Sequence, residues 1–263
     1  MTEGEPRRNF SSPWVLVYPS VMSQRPAPFL ARTTSHLANA AIDLLFPKRC
    51  VGCDREGAFL CHECLEGLPC LEPPFCFLCG QPGRLMMRLC LSCWERPLEI
   101  DGIRAPYRME GAVRDAVHAL KYQYVRALAP TLGGLLGEFM VASNLSADVL
   151  VPVPLHPRRE RSRGYNQSLL LARETGKVVG LPVEEKALRR SRSTPSQARS
   201  ASQEERRANV AEAFLAEATL AQGRRVLLVD DVCTTGATLE ACAIALKQVG
   251  AASVWGLALA REV

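Results

Sequence analysis

The stretch that most constrains this chain is Arg225 to Leu239, RVLLVDDVCTTGATL. Val226 to Val229 is an unbroken apolar run, the composition of a strand buried on both faces. Asp230 and Asp231 follow at once, and then a short polar turn, Thr234-Thr235-Gly236-Ala237-Thr238. Beyond the turn, Leu239, Cys242, Ala243, Leu246 and Val249 recur at helical spacing. The order expected is strand, acidic pair, hydroxyl-and-glycine loop, helix. A loop that opens a helix presents backbone N–H groups without intrahelical partners, and the helix dipole adds positive potential there. Thr234, Thr235 and Thr238 add hydroxyl donors, and Gly236 lets the backbone approach an anion closely. That combination suits a phosphate. The two carboxylates suit groups that donate to them, such as sugar hydroxyls, or a hydrated Mg2+. A ligand with a phosphate beside a ribose diol satisfies both halves.

Two other readings of the stretch carry less. An ordinary buried strand ending in a polar turn leaves the paired acids and three threonines around one glycine without a purpose. A Walker B strand needs a partner P-loop; the one Gly-Lys dipeptide, Gly176-Lys177, is followed by Val178 and has Leu171 where the first glycine belongs.

The second constraint is cysteine. Of 11 cysteines, eight form four C-x-x-C pairs: Cys50/Cys53, Cys61/Cys64, Cys76/Cys79 and Cys90/Cys93, with 7, 11 and 10 residues between successive pairs. A C-x-x-C turn brings two thiolates to one side of a knuckle, and two knuckles complete a tetrahedral Zn2+ site. A segment of this size buries too little surface to fold unaided, so two structural zinc ions are expected to supply the missing stability. Redox-active pairs of the thioredoxin kind lack a βαβ context here. Consecutive pairing as two successive ribbons is the preferred arrangement; cross-bracing would join the first pair to the third and the second to the fourth. Cys70 and His62 fall outside ligand spacing. Thiols used this way point to a reducing, cytoplasmic setting rather than to disulfides.

The 263 residues, 48% hydrophobic and 22% charged, allow one sizeable core and a small satellite module. No apolar run is long enough for membrane insertion. The net charge of +5 is unevenly placed, because His156 to Val210 holds 13 Lys/Arg against 6 Asp/Glu. Such a segment fits a polyanionic partner, a pyrophosphate or a nucleic acid, or else a solvated basic loop.

In chain order, residues 1–34 read as a poorly ordered tail, with Met22 available as an alternative start. Residues 35–97 hold a short amphipathic helix, Leu37 to Phe46, and the cysteine module. Residues 98–263 form the main domain. Ile100 to Tyr107 is expected as an edge strand; Val113, Val117, Leu120 and Tyr124 mark a helix, and Leu132, Leu135, Leu136 and Phe139 another. Lys121 has two readings, a lysine that faces the site and a solvated helix lysine, and the second is preferred. Asp148 to Val153 is expected as the first parallel strand, and Ser253 to Ala260 closes the sheet. The loop Leu155 to Tyr165 carries His156, Arg158, Arg159, Arg161 and Arg163 at the carboxyl end of a strand, where ligands of open α/β sheets bind. With Val153 and Pro154 it is the candidate pyrophosphate loop. Arg192 to Asn209 is polar enough for a mobile lid, with Gln197, Arg206 and Asn209 as its candidate polar groups.

VLLVDDVCTTGAT resembles the phosphoribosyl pyrophosphate (PRPP) motif of type I phosphoribosyltransferases, in which the loop holds the 5'-phosphate and the acidic pair holds the ribose 2'- and 3'-hydroxyls. The resemblance implies Thr234, Thr235, Gly236, Ala237 and Thr238 as the phosphate loop and Asp230 and Asp231 as diol ligands. The cysteine module, the VPVPLH segment and the R-G-Y-N-Q run Arg163-Gly164-Tyr165-Asn166-Gln167 together resemble the ComF/GntX family of bacterial proteins, named for a member needed for DNA uptake in natural competence. The likeness spans about Leu37 to Val263, with Tyr165 where Phe is expected. The fold it implies is α/β: an open, mostly parallel sheet with helices on both faces, preceded by a small zinc-ribbon module. The activity it implies is phosphoribosyl transfer from PRPP with Mg2+. The alternatives are a non-catalytic competence protein that binds single-stranded DNA and DNA-uptake proteins, or a PRPP-sensing regulator. No residue stands out as a general base, so the acceptor is not named.

Overall fold

The computed structural model describes residues 47–83, 88–190 and 213–263. The expected helix at Leu37 to Phe46 and the lid candidates Gln197, Arg206 and Asn209 lie outside them. In chain order the elements are α1 (His62–Glu66), α2 (Leu91–Glu95), β1 (Gly102–Arg104), β2 (Tyr107–Arg108), α3 (Gly111–Tyr122) and a 3-10 turn (Arg126–Leu128). Then come α4 (Ala129–Ala142), β3 (Val149–Pro152), α5 (Pro157–Arg163), α6 (Gln167–Val179), β4 (Leu188–Arg190) and β5 (Phe214–Ala216). The chain ends with α7 (Ala218–Ala221), β6 (Arg225–Cys233), α8 (Ala237–Gln248) and β7 (Ser253–Arg261).

β6 lies inside the main sheet, and the apolar run explains why. Val226, Leu227, Leu228 and Val229 are each at most 1% exposed. Side chains alternate along a strand, so Leu227 and Val229 join one core while Val226 and Leu228 join the other. The first core packs beneath α3, α4 and α6; the second packs beneath α8 and the antiparallel β4–β5 pair. The sheet is parallel in order β1–β7–β6–β3, with β2 also paired to β7.

Three expectations change. The edge strand at Ile100 to Tyr107 is split into β1 and β2 around Pro106, which has no N–H for a ladder. β1 and β2 run parallel to β7 and precede β3, so β3 is not the first parallel strand. β7 does not close the sheet: it sits inside, with β1 and β2 on one side and β6 on the other. Among the described residues no helix is long and apolar enough to cross a membrane.

Candidate functional site

β3 and β6 run side by side, Pro152 opposite Val229, so the segments that leave their carboxyl ends are neighbours. After β6 the chain turns through Thr234, Thr235 and Gly236 into the 12-residue helix α8. Gly236 caps that helix with φ of +82°, a left-handed conformation that strains any residue with a Cβ. Thr234, Thr235, Ala237 and Thr238 are exposed, while Gly236 is buried. The Thr235 hydroxyl accepts from the Ala237 amide at 3.3 Å.

The acidic pair is more enclosed than a reading of two open diol ligands implies. Asp230 is 9% exposed and Asp231 3%. Adjacent strand residues face opposite sides, so each carboxylate has its own surroundings. Asp230 Oδ1 accepts from Ser168 Oγ at 2.8 Å and from the Asp231 amide at 2.9 Å. Asp231 Oδ1 lies 2.9 Å from Lys121 Nζ, and Asp231 Oδ2 is buried with no hydrogen-bond partner among the described residues. Burial, reinforced by the Asp231 charge, pushes the Asp230 carboxyl up to about 7.

The basic segment after β3 is not a loop throughout. Pro157 sits in the first turn of α5 and the His156 side chain caps it, Nδ1 accepting from the Arg158 amide at 3.1 Å. Desolvation, then the charges of Arg190, Arg158, Arg159 and Arg161, hold His156 below its ordinary value. Arg163, at the end of α5, donates to Gln167 Oε1 and lies over the Tyr122 ring at 5.4 Å. Gly164 ends α5 with φ of +74°. The Tyr165 hydroxyl donates to the Leu120 carbonyl, and burial raises its phenol. Asn166 caps α6, its Oδ1 accepting from the Ser168 amide at 3.0 Å and its Nδ2 donating to the Val153 carbonyl at 3.0 Å. Gly164 to Gln167 is therefore a brace that fixes β3, α5 and α6 and delivers Ser168 to Asp230. Pro152, Pro154, Leu155 and Asn166 line a cleft of about 500 Å³ whose other wall carries Lys186 and Arg190.

The cysteines gather as two consecutive sets, Cys50/Cys53/Cys61/Cys64 and Cys76/Cys79/Cys90/Cys93, with all Sγ atoms of a set within 4.8 Å of one another. Tetrahedral Zn–S bonds of about 2.3 Å place sulfurs about 3.8 Å apart. Cys53 and Cys61 Sγ are 3.5 Å apart, and Cys79 and Cys90 Sγ 3.7 Å. The Cys61 amide donates to Cys50 Sγ and the Cys90 amide to Cys76 Sγ, each at 3.3 Å. Within each set the thiols oppose one another. Despite desolvation, backbone donors hold Cys50 down to about 6, while the Cys79 thiol as well as backbone donors holds Cys76 down to about 4. Burial and neighbouring thiolates push Cys64 and Cys93 up, Cys93 to about 12, and the Cys76 thiolate pushes Cys79 up. A divalent cation removes that conflict, so both sets fit Zn2+.

Sequence reasoning missed Ser168 as a partner of the acidic pair and ranked the site-facing reading of Lys121, which the structure bears out, below the solvated one. Lys121 belongs to α3, and only the tertiary packing of α3 against β6 brings it to Asp231. Ser168 directly follows the Asn-Gln pair that opens α6, and that position was the available clue. Tyr124, expected on an apolar helix face, lies beyond the end of α3 with φ of +60° and is 59% exposed.

These features place the chain in a class. The double zinc ribbon domain family matches residues 41–94 and the phosphoribosyl transferase domain family residues 166–261. It is a protein with a phosphoribosyltransferase-type domain behind a double zinc ribbon. More narrowly, the chain belongs to the ComF/GntX family. It is 31% identical over 222 residues to the DNA utilization protein YhgH of Salmonella typhimurium strain LT2, covering 81% of this chain and 89% of that one. It is 28% identical to competence protein F of Haemophilus influenzae strain Rd, covering 76% and 90%, and 28% identical to competence protein ComFC of Bacillus subtilis strain 168, covering 77% and 84%. A solved structure of an allosteric regulatory enzyme of purine biosynthesis aligns with TM-score 0.37 and 26% identity over 50% of this chain and 25% of its own.

Proposed function

We propose that this chain binds PRPP at the tip of β6 and transfers its phosphoribosyl group. The observation that carries the reading is the conjunction at one strand end. An exposed threonine loop opens a helix beside a buried acidic pair that has one carboxylate oxygen without a partner among the described residues. The 5'-phosphate takes the loop hydroxyls of Thr234, Thr235 and Thr238 and the amides of the first turn of α8. The 2'- and 3'-hydroxyls donate to Asp230 and Asp231. Cations of the adjacent cleft, Lys186 and Arg190, stabilise the charge of the departing pyrophosphate. The bond from C1 to the pyrophosphate oxygen breaks through an oxocarbenium-like state, and an acceptor forms the new bond at C1. The acidic pair and the loop oxygens suit Mg2+, which when bound would neutralise pyrophosphate charge.

Calorimetric titration with PRPP and Mg2+ tests the reading. Hydrogen bonds to charged groups contribute about 1.5–3 kcal/mol each, so Asp230→Asn/Asp231→Asn is expected to weaken binding on the order of 100-fold. The carboxylate form of Asp230 is the better acceptor for two hydroxyls. With its carboxyl at about 7, affinity should rise as pH rises through neutrality, and Asp230→Asn should flatten that rise. Absence of PRPP binding by the parent, or equal affinity in the variant, sinks the proposal.

A second reading, binding of single-stranded DNA, is favoured by one surface. Tyr122 and Tyr124 are 60% and 59% exposed; Arg163 lies over the Tyr122 ring, and the Tyr124 hydroxyl donates to the carbonyl of the neighbouring Ser162. Exposed rings among arginines suit bases and phosphates together. Anisotropy of a labelled oligothymidine should fall steeply with salt, and Tyr122→Ala/Tyr124→Ala should weaken binding on the order of 10-fold or more. Equal binding by the variant removes this surface from consideration.

A further inference from the structure

Two buried links join the second cysteine set to the threonine loop. The first is Arg261, the last residue of β7, only 3% exposed. Its Nη1 donates to the Cys79 carbonyl at 2.7 Å and to Cys233 Sγ at 2.9 Å, and its Nε donates to Gln81 Oε1 at 3.0 Å. Cys79 belongs to the second set, and Cys233 immediately precedes Thr234. One guanidinium thus grips the metal knuckle on one side and the root of the loop on the other.

The second link is Ile103 in β1. Its amide donates at 2.7 Å to the Leu78 carbonyl, inside the same C-x-x-C turn. Its carbonyl sits where a Cβ at Gly80 would meet it at 2.6 Å, and its Cδ1 where a Cβ at Gly236 would meet it at 2.9 Å. Knuckle, β1 and loop are packed with no space for a methyl group at either junction. The first set makes a different contact: Gly52, in its Cys50–Cys53 turn, rests against Ala112 of α3.

Charge supplies a reason for the arrangement. Among the described residues no carboxylate lies within ion-pair distance of Arg261. A buried cation without a counter-ion is strongly unfavourable. Four thiolates on one Zn2+ form a net anion, and the Cys79 carbonyl that Arg261 holds belongs to one of those ligands.

On the reading that Thr234 to Thr238 hold a phosphate, we propose that the tetrathiolate of Cys76, Cys79, Cys90 and Cys93 is the counter-ion of Arg261. Arg261, together with Ile103, is then a positioning residue for the phosphate loop. Loading of this one metal site controls both the order of the loop and its affinity for a phosphoribosyl ligand. Linkage makes the effect reciprocal, so the ligand raises the affinity of this site for zinc.

The test uses the full chain and three variants, Cys90→Ser, Arg261→Gln and Cys53→Ser. It reads zinc per chain, amide hydrogen exchange over residues 233–239, and PRPP affinity. Cys90→Ser is expected to lose one zinc, to speed exchange in the loop and to weaken PRPP binding on the order of 10-fold. Arg261→Gln should keep both zinc ions and still speed loop exchange. Cys53→Ser, which removes the other zinc, should move the loop less than Cys90→Ser does. Loop exchange at the parent rate in Arg261→Gln overturns the proposal. So does a rise spread equally over β3 and β6, which marks general loosening instead of a link. If the parent binds no PRPP, the phosphate reading fails, while the exchange comparison still decides whether metal and loop are coupled.

Discussion

Chelation of the two zinc ions is expected to unfold the segment from Cys50 to Cys93 and to lower the midpoint of thermal unfolding on the order of 10 °C or more. The ribbon helices α1 and α2 have five residues each, too short to persist alone. Cys61 and Cys90 are their N-cap residues, so each helix starts at a ligand. The interior of the second ribbon is Cys76, Cys79 and Cys93 with a few partly buried side chains, and that apolar area cannot offset the entropy of ordering the segment. The first ribbon also contributes Cys50, Leu60 and Leu68 to the core that includes Val113 and Tyr107. Its loss therefore uncovers part of α3 and weakens the main domain as well. Elemental analysis should give two zinc ions per chain. Circular dichroism and Trp94 fluorescence should change as chelator removes them and recover when zinc is restored. An unchanged unfolding midpoint in metal-free protein would falsify a structural role for zinc.

Much of this was legible in the chain because its strongest constraints are local. The spacing of the C-x-x-C pairs left two groupings, and the structure brings together the consecutive ones. The apolar run Val226 to Val229 could only be an inner strand, and the turn Thr234 to Thr238 could only open a helix. What was not legible depends on partners distant in sequence. Lys121 sits on an amphipathic helix where solvent is the usual destination of a lysine, and nothing nearby says that α3 ends above β6. Arg261 closes an apolar strand, and its partners Cys79 and Gln81 are some 180 residues away. The basic segment after β3 looked like a loop because four arginines dominate it. Pro157 and the capping side chain of His156 were the overlooked helix-start clues. The order of strands follows from how β1, β2 and β7 pack, which no periodicity encodes.

Lys121→Ala is expected to destabilise the fold by about 3 kcal/mol or more, because it leaves a buried carboxylate without its cation. The Asp231 side chain is 4% exposed and Lys121 19%, so water replaces the lost partner poorly. Asp230 lies next in the chain, already raised by burial and by the charge of Asp231. Without the Lys121 charge, the repulsion between these two buried, chain-adjacent carboxylates is less offset, and at least one retains its proton to higher pH. The sign with pH follows from linkage. The folded value of Asp230, about 7, lies above its ordinary 3.8, so between those values the folded chain binds more protons than the unfolded chain. Stability therefore declines as pH rises through that window, and more steeply in Lys121→Ala than in the parent. Adding Asp231→Asn to Lys121→Ala removes the unpaired charge and should restore most of the loss. Thermal or urea unfolding of the four proteins of this double-mutant cycle at pH 5 and pH 8 measures the coupling. A loss for Lys121→Ala that is the same at both pH values, and that Asp231→Asn does not repair, would mean that Lys121 acts through packing and that the ion pair does not hold the acidic pair in place.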